Sequence, residues 1–287
     1  MNRALLKKSI LEGRLLLAAC TATMLVFCWT RVWVVGQFDM GRFETVIEQF
    51  REWERFSPVP FEHLLTCTGR IAMAYEEPIL ILSVCLWVIA RGSDCISGEI
   101  GRGTMELLLA QPVSRVQVLW SQASVTIAGL TLLAATSWFG LYLGIQTNTI
   151  EESVRETWAI PWLGVEVPNP LAAEEMVRRP MTEKVDSADL APAAVNLFSF
   201  GLFLAGLSTL LSSLDRYRWR TIGFVVGIYI VQLTLKIIGL ASDRLAWLKQ
   251  LTFFTAYEPV RSVSTAMYQP ESTWSVVLRG AEGEWIS

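Results

Sequence analysis

The 287-residue chain has few of the residues that most often do chemistry. It holds a single histidine, His63, and five cysteines, Cys20, Cys28, Cys67, Cys85 and Cys95, with no CxxC spacing among them. Zinc and haem sites draw on clustered His and Cys ligands, so no metal centre is expected. Most of the cysteines fall in or beside apolar runs, where a thiol acts as a small buried hydrophobe. Charge is also scarce: 18% of residues are Asp, Glu, Lys or Arg, against about 25% in ordinary soluble domains. The net charge of -3 and the scattered basic residues leave no nucleic-acid footprint.

Catalytic signatures are missing as well. There is no glycine-rich loop followed by Lys and Ser or Thr, so the chain has no phosphate cradle of its own. GxSxG, HExxH and paired carboxylates in a plausible pocket are absent, and His63 lies in a polar segment, where it reads as a surface residue. An intramembrane enzyme would need His, Ser or Asp clustered at depth, and no such cluster is evident. No catalytic, cofactor-binding or metal-binding residue is expected.

Long apolar windows are what the sequence does have. Hydrophobic residues make up 52% of the chain and gather in runs nearly free of charge. About 20 apolar residues at 1.5 Å rise cross the ~30 Å hydrocarbon core. Five spans are expected, near residues 15–35, 73–96, 118–145, 193–214 and 221–240. The first run is longer than the core of a signal peptide and has no small-residue cleavage site, so it reads as a retained span. None alternates with period two, which leaves helices as the spanning structure. The fold class is all-α: a polytopic membrane protein of about five transmembrane helices.

Basic residues in short flanks set the orientation. Arg3, Lys7, Lys8 and Arg14 precede the first span, Arg91, Arg102 and Arg115 follow the second, and Arg216, Arg218 and Arg220 follow the fourth. These flanks share one side, and the amino terminus is expected in the cytoplasm. Residues 1–14 carry Leu5, Leu6, Ile10 and Leu11 on one face, which suits an interfacial amphipathic helix or a plain basic flank. The permease body is expected over 15–241. The outer segments 36–72 and 146–192 are longer and rich in acids. Residues 38–62 read as a solvated helix ending at "SPVP".

One polar stretch stands out between the second and third runs: "SGEIGRGTMELLLAQPVSR", residues 97–115. Gly101 and Gly103 allow a turn. Thr104 is suited to cap a short helix, with Glu106 in its first turn, where an acid complements the dipole. Met105, Leu108 and Leu109 make an apolar face, and Pro112 breaks the helix. A short helix at the cytoplasmic interface that offers polar groups to the cytosol is a docking surface.

The pattern over about 25 residues here strongly resembles the permease subunits of type-2 ATP-binding cassette (ABC) exporters. The matching positions are Glu99, Gly103, Thr104, Glu106, Leu107, Leu108, Leu109, Pro112, Ser114 and Arg115. The resemblance implies that this segment couples the permease to a separate ABC ATPase subunit, which binds ATP and Mg. It also implies a second permease copy, a place in the cell membrane, and six spans with both termini cytoplasmic. No window after Leu240 is long enough for the sixth span. Residues 242–287 are therefore expected as an extracytoplasmic interfacial segment, with Ser287 outside the cytoplasm. A rival within the same resemblance is a membrane component that helps mature an extracytoplasmic copper enzyme.

Two further features bear on transport. Gly223 and Gly227, four apart in the fifth span, suit either a dimer seam or close packing within the chain. Tyr229, Gln232 and Lys236 form a polar stripe. Lys236 could face a substrate pathway or snorkel to the outer interface.

Overall fold

The computed structural model describes residues 3–37, 59–110, 114–154, 157–160, 165–168, 175–274, 278–279 and 285–286. Most of the expected outer helix over 38–62 lies outside them, as does Ser287. Eight helices carry the architecture: α1 (Arg3–Gln37), α2 (Cys67–Ala72), α3 (Pro78–Ser93), α4 (Thr104–Leu109), α5 (Arg115–Thr147), α6 (Ala191–Leu214), α7 (Arg218–Ala241) and α8 (Pro259–Tyr268). Five helical runs are long and apolar enough to cross a membrane: Arg3–Gln37, Cys67–Gly101, Arg115–Thr147, Ser187–Leu214 and Arg218–Ala241.

Local chemistry explains where these helices begin. Pro78 opens α3, where its missing N–H leaves no bond unmade. At the start of α5, Ser114 and Gln117 form a reciprocal capping box: Gln117 N–H donates to Ser114 Oγ, and Ser114 N–H donates to Gln117 Oε1, each at 3.2 Å. The amino-terminal residues are helical and continue into the first span: α1 runs unbroken from Arg3 to Gln37. Ser9 is buried and Lys8 points at a buried acid, so this end is packed into the bundle by polar contacts.

α3 is the hub. Within the chain, 67% of the apolar window of Cys67–Gly101 is buried, against 11% for Arg218–Ala241, so α7 is peripheral. Trp87 of α3 is 1% exposed and donates from its indole N–H to Thr126 O of α5 at 3.0 Å. Two glycines make room for its ring. A Cβ on Gly129 would lie 2.3 Å from Trp87 Cζ2, and one on Gly13 would lie 3.0 Å from Cη2. Small residues thus let α1 and α5 close over one large aromatic, the packing mode expected where lipid tails are as apolar as the side chains.

Outside the helices lies structure that the sequence reading did not expect. β1 (Thr149–Val154) pairs antiparallel with β4 (Glu175–Pro180), and β2 (Thr157–Ile160) pairs with β3 (Val165–Pro168). After α7 the chain returns through short 3-10 turns to α8, which packs on α2 and α6. An aromatic cluster fixes this return. Phe200 of α6 meets Phe254 at 5.7 Å and Tyr257 at 4.6 Å between ring centroids, and the Tyr257 hydroxyl donates to Tyr75 O.

The tight seat of Trp87 makes a prediction. Gly129→Ala forces a methyl into the indole and is expected to cost about 1–3 kcal/mol through overpacking. Gly206→Ala, where nothing lies within 4 Å, is expected to be neutral or slightly stabilising. Thermal unfolding of the purified variants in detergent checks this, and equal midpoints for the two would remove Trp87 as the hub.

Candidate functional site

The polar stretch after α3 folds as a widened turn and a short helix. Residues Asp94–Gly98 form a π turn that continues α3, followed by the single turn Glu99–Gly101. Such turns leave backbone N–H groups without regular partners, and here Ser212 of α6 supplies one. Its hydroxyl accepts from Ser97 N–H at 2.9 Å and Ile96 N–H at 3.2 Å. Gly103 then takes φ +70°, a left-handed conformation that suits glycine, and turns the chain into α4.

This turn brings two carboxylates into the bundle. Glu99 has no exposed side-chain surface, and a buried charge must be paired and hydrogen-bonded to be tolerated. Lys8 of α1 donates to both its oxygens at 2.8 and 3.0 Å. The Thr104 hydroxyl donates to the same carboxylate, and Arg102 Nη2 lies 3.1 Å away. Asp94, one turn earlier, accepts from Arg102 at 2.7 Å and pairs with Arg218 of α7 at 3.2 Å. Hydrogen bonding to Asp94, with Glu99 adding charge, pushes the Arg102 pKa further above its already high value. Arg218 also donates to Ala90 O of α3 at 3.3 Å.

A second layer lies beside this one. Arg91, 4% exposed, donates to Ser9 Oγ of α1 and Gln122 Oε1 of α5, and its guanidinium stands 6.0 Å from the Trp87 ring. Ser9 Oγ in turn donates to Gln122 Oε1 at 2.8 Å. Together the two layers tie α1, α3, α5 and α7 to the stretch that leads into α4. Carboxylate oxygens of Glu12, Asp94 and Glu99 come within 4.8 Å of one another. Lys8, Arg102 and Arg218 already supply the balancing positive charge there.

The sequence-derived residues are divided by the structure. Glu99, Gly103 and Thr104 come together as described, but Thr104 bonds Glu99 and does not cap α4, because it is already that helix's first residue. Glu106 and Arg115 are exposed and make none of the cluster's ion pairs, and Ser114 serves as the α5 cap. The side chains of Leu107, Leu108 and Leu109, and residues Gln111, Pro112 and Val113, lie outside the described residues. Lys8, Arg102 and Arg218 entered the sequence reading only as markers of sidedness, and Asp94 lies beside them at the end of the second span. Their clustering at the ends of three separate spans, on one expected side, was the available signal.

The stripe on α7 also takes a definite place. Tyr229 meets Phe254 edge-on at 5.2 Å, and Lys236 Nζ stands 5.7 Å from the same ring, so both turn toward the returning segment. Gln232 Oε1 is buried with no hydrogen-bond partner among the described residues. Gly223 and Gly227 have nothing within 4 Å of a built Cβ, which excludes close packing of these two glycines within the described residues. Phe224, Ile230 and Ile237 of the same helix are each more than half exposed.

Comparison with known proteins supplies the family. The profile of the ABC-2 family transporter proteins matches residues 17–273, most of the chain. The chain belongs to the ABC-2 transporter family. It is a polytopic helical membrane protein, the membrane permease component of an ABC transporter and not its ATPase, and the family partners with an ABC ATPase subunit. Neither the curated proteins nor the solved structures gave a match.

The buried pairing of Glu99 is directly testable. Glu99→Gln removes the buried counter-charge of Lys8 and leaves it only the longer 3.7 Å pair with Glu12, and should lower stability by about 1–3 kcal/mol. Glu106→Gln, on the surface, should stay within about 0.5 kcal/mol of the parent. Unfolding midpoints in detergent distinguish the two, and an unchanged Glu99→Gln midpoint would remove the ion cluster as a structural element.

Proposed function

We propose that this ABC-2 permease works as an exporter subunit whose segment 97–115 is the cytoplasmic contact for the ATPase. The observation that carries the reading is the ion cluster behind that segment. α4 presents Glu106 outward, while its root is fastened through Thr104 and Glu99 to α1 and through Arg102 and Asp94 to α7. A displacement of α4 by the ATPase has a rigid path into two spans, because a buried pair held by several hydrogen bonds resists being pulled apart. ATP and Mg belong to the ATPase subunit in this reading, and this chain supplies no catalytic residue.

The amino terminus is on the cytoplasmic side of the cell membrane in the same reading. The basic flanks at Lys8, Arg102, Arg115 and Arg218 support it through their bias to that side. The second permease copy is assigned to α7, where the open face around Gly223 and Gly227 permits close approach of another helix. Tyr229, Gln232 and Lys236 border the substrate path on the opposite, inward face. Gln232 is the strongest member, since a buried carbonyl oxygen without a partner favours a ligand that donates to it. The maturation alternative has no support in the family match.

Two measurements test these assignments. Glu106→Lys sets a cation at the start of α4, against the helix dipole; co-purification with the ATPase should fall while membrane insertion persists, and unchanged co-purification overturns the contact. For sidedness, Arg115→Cys in intact cells should react only with membrane-permeant thiol reagents, whereas Glu183→Cys should react with impermeant ones. The described native cysteines are buried, so background labelling should be low. The reverse pattern overturns the orientation.

A further inference from the structure

A groove of about 810 Å³ runs along the outside of the bundle between α1 and α5, on the opposite flank of α1 from Lys8 and the ion cluster. Its walls are Ile10, Leu17 and Leu25 of α1 and Ala128 and Leu132 of α5, and Trp87 forms part of its lining. Gly13 and Gly129 line it too, and at both positions a Cβ would crowd the indole, so the ring forms part of the floor of the groove. Among the described residues the lining holds one charged side chain, Arg14. Arg14 is exposed and takes part in none of the ion pairs among those residues.

The dimensions and the charge identify an occupant. Arg14 lies at the start of the apolar part of α1, which is the level of the headgroups. From Arg14 to Leu25 the helix rises about 16 Å, close to the ~15 Å that one leaflet contributes to the hydrocarbon core. From Arg14 onward the groove is thus apolar for the depth of one leaflet, with Arg14 as its charge at headgroup level, and Leu6 and Ile10 continue the lining toward the amino terminus. We propose that it binds an acyl chain of an anionic membrane phospholipid from the leaflet on the amino-terminal side, with the phosphate on Arg14. The guanidinium gives the phosphate a forked donor pair, and the acyl chain covers apolar surface beside Trp87. A second copy of the chain fits less well, because it would bring a protein surface against an unpaired cation.

The test uses the full-length protein, purified in a mild detergent and titrated with phosphatidylglycerol or phosphatidylcholine, with bound lipids counted by native mass spectrometry. The parent should retain one tightly held lipid and prefer phosphatidylglycerol by about fivefold, the ratio that ~1 kcal/mol from one basic residue near headgroups provides. Arg14→Gln should keep a lipid but lose the preference. Ala22→Trp places a ring in the groove from an exposed position that lines it, and should lose the lipid while its unfolding midpoint without lipid matches the parent. Equal lipid counts and equal preference in the parent and Ala22→Trp overturn the proposal. So does loss of a dimer in Ala22→Trp with the lipid count unchanged, which would make the groove a seam between copies.

Discussion

A carboxylate with no exposed surface at the edge of a membrane bundle has to be neutralised, and that requirement organises this chain. Glu99 draws Lys8 inward from α1 and holds Thr104 and Arg102 close; Asp94 shares Arg102 and adds Arg218 from α7. Desolvating such charges costs several kcal/mol each unless the geometry is good and the remaining hydrogen bonds are made. The ends of three spans are therefore placed by a handful of polar atoms. Ser9, Arg91 and Gln122 extend the arrangement to a fourth, and the Ser212 hydroxyl supports the turn that carries both acids.

Away from that end, the helices hold together by fit. In a membrane there is little hydrophobic gain from hiding leucine from lipid, so close packing has to come from shape. Trp87 between Gly13 and Gly129 is the clearest case, and its indole N–H is paired with Thr126 O, so a large polar-tipped side chain sits at the centre without an unmet donor. α7 takes less part in this packing: it rests on α6 and on the turn at 243–251, buries Thr221 and Val225, and adds the Arg218 pair and the Phe254 contacts. Its open face is matched in the family reading by lipid or another subunit.

Long apolar runs made the number of crossing helices legible in the sequence, because length and hydropathy alone decide what can span. The segment at 97–115 was legible too, through its glycines and its charge pattern. The partners of Glu99 were not. Lys8, Asp94 and Arg218 are up to 210 positions from each other, and nothing in helical periodicity says that they meet. Thr104 was read as a cap because a hydroxyl at a helix start has that preference; it is instead the first residue of the helix, and its hydroxyl donates to Glu99. The paired strands after α5 were missed because β1 reads "TIEESV", without the alternation of a half-buried strand. The intended role of the glycines in α7 required knowing which neighbours were absent from that face.

The π turn at Asp94–Gly98 has a consequence for phase. In a regular α-helix, residues five apart point about 140° away from each other, so Asp94 and Glu99 would sit on different flanks. The wider turn takes up one extra residue and returns both acids to the same side, where they share Arg102. Loss of a single residue between 94 and 98 would restore α-helical phase and rotate the following turn by about 100°. Lys8 would then face a different side chain, and α4 would leave the bundle in another direction. The length of this turn, more than the identity of any one residue in it, fixes where the cytoplasm-facing segment points.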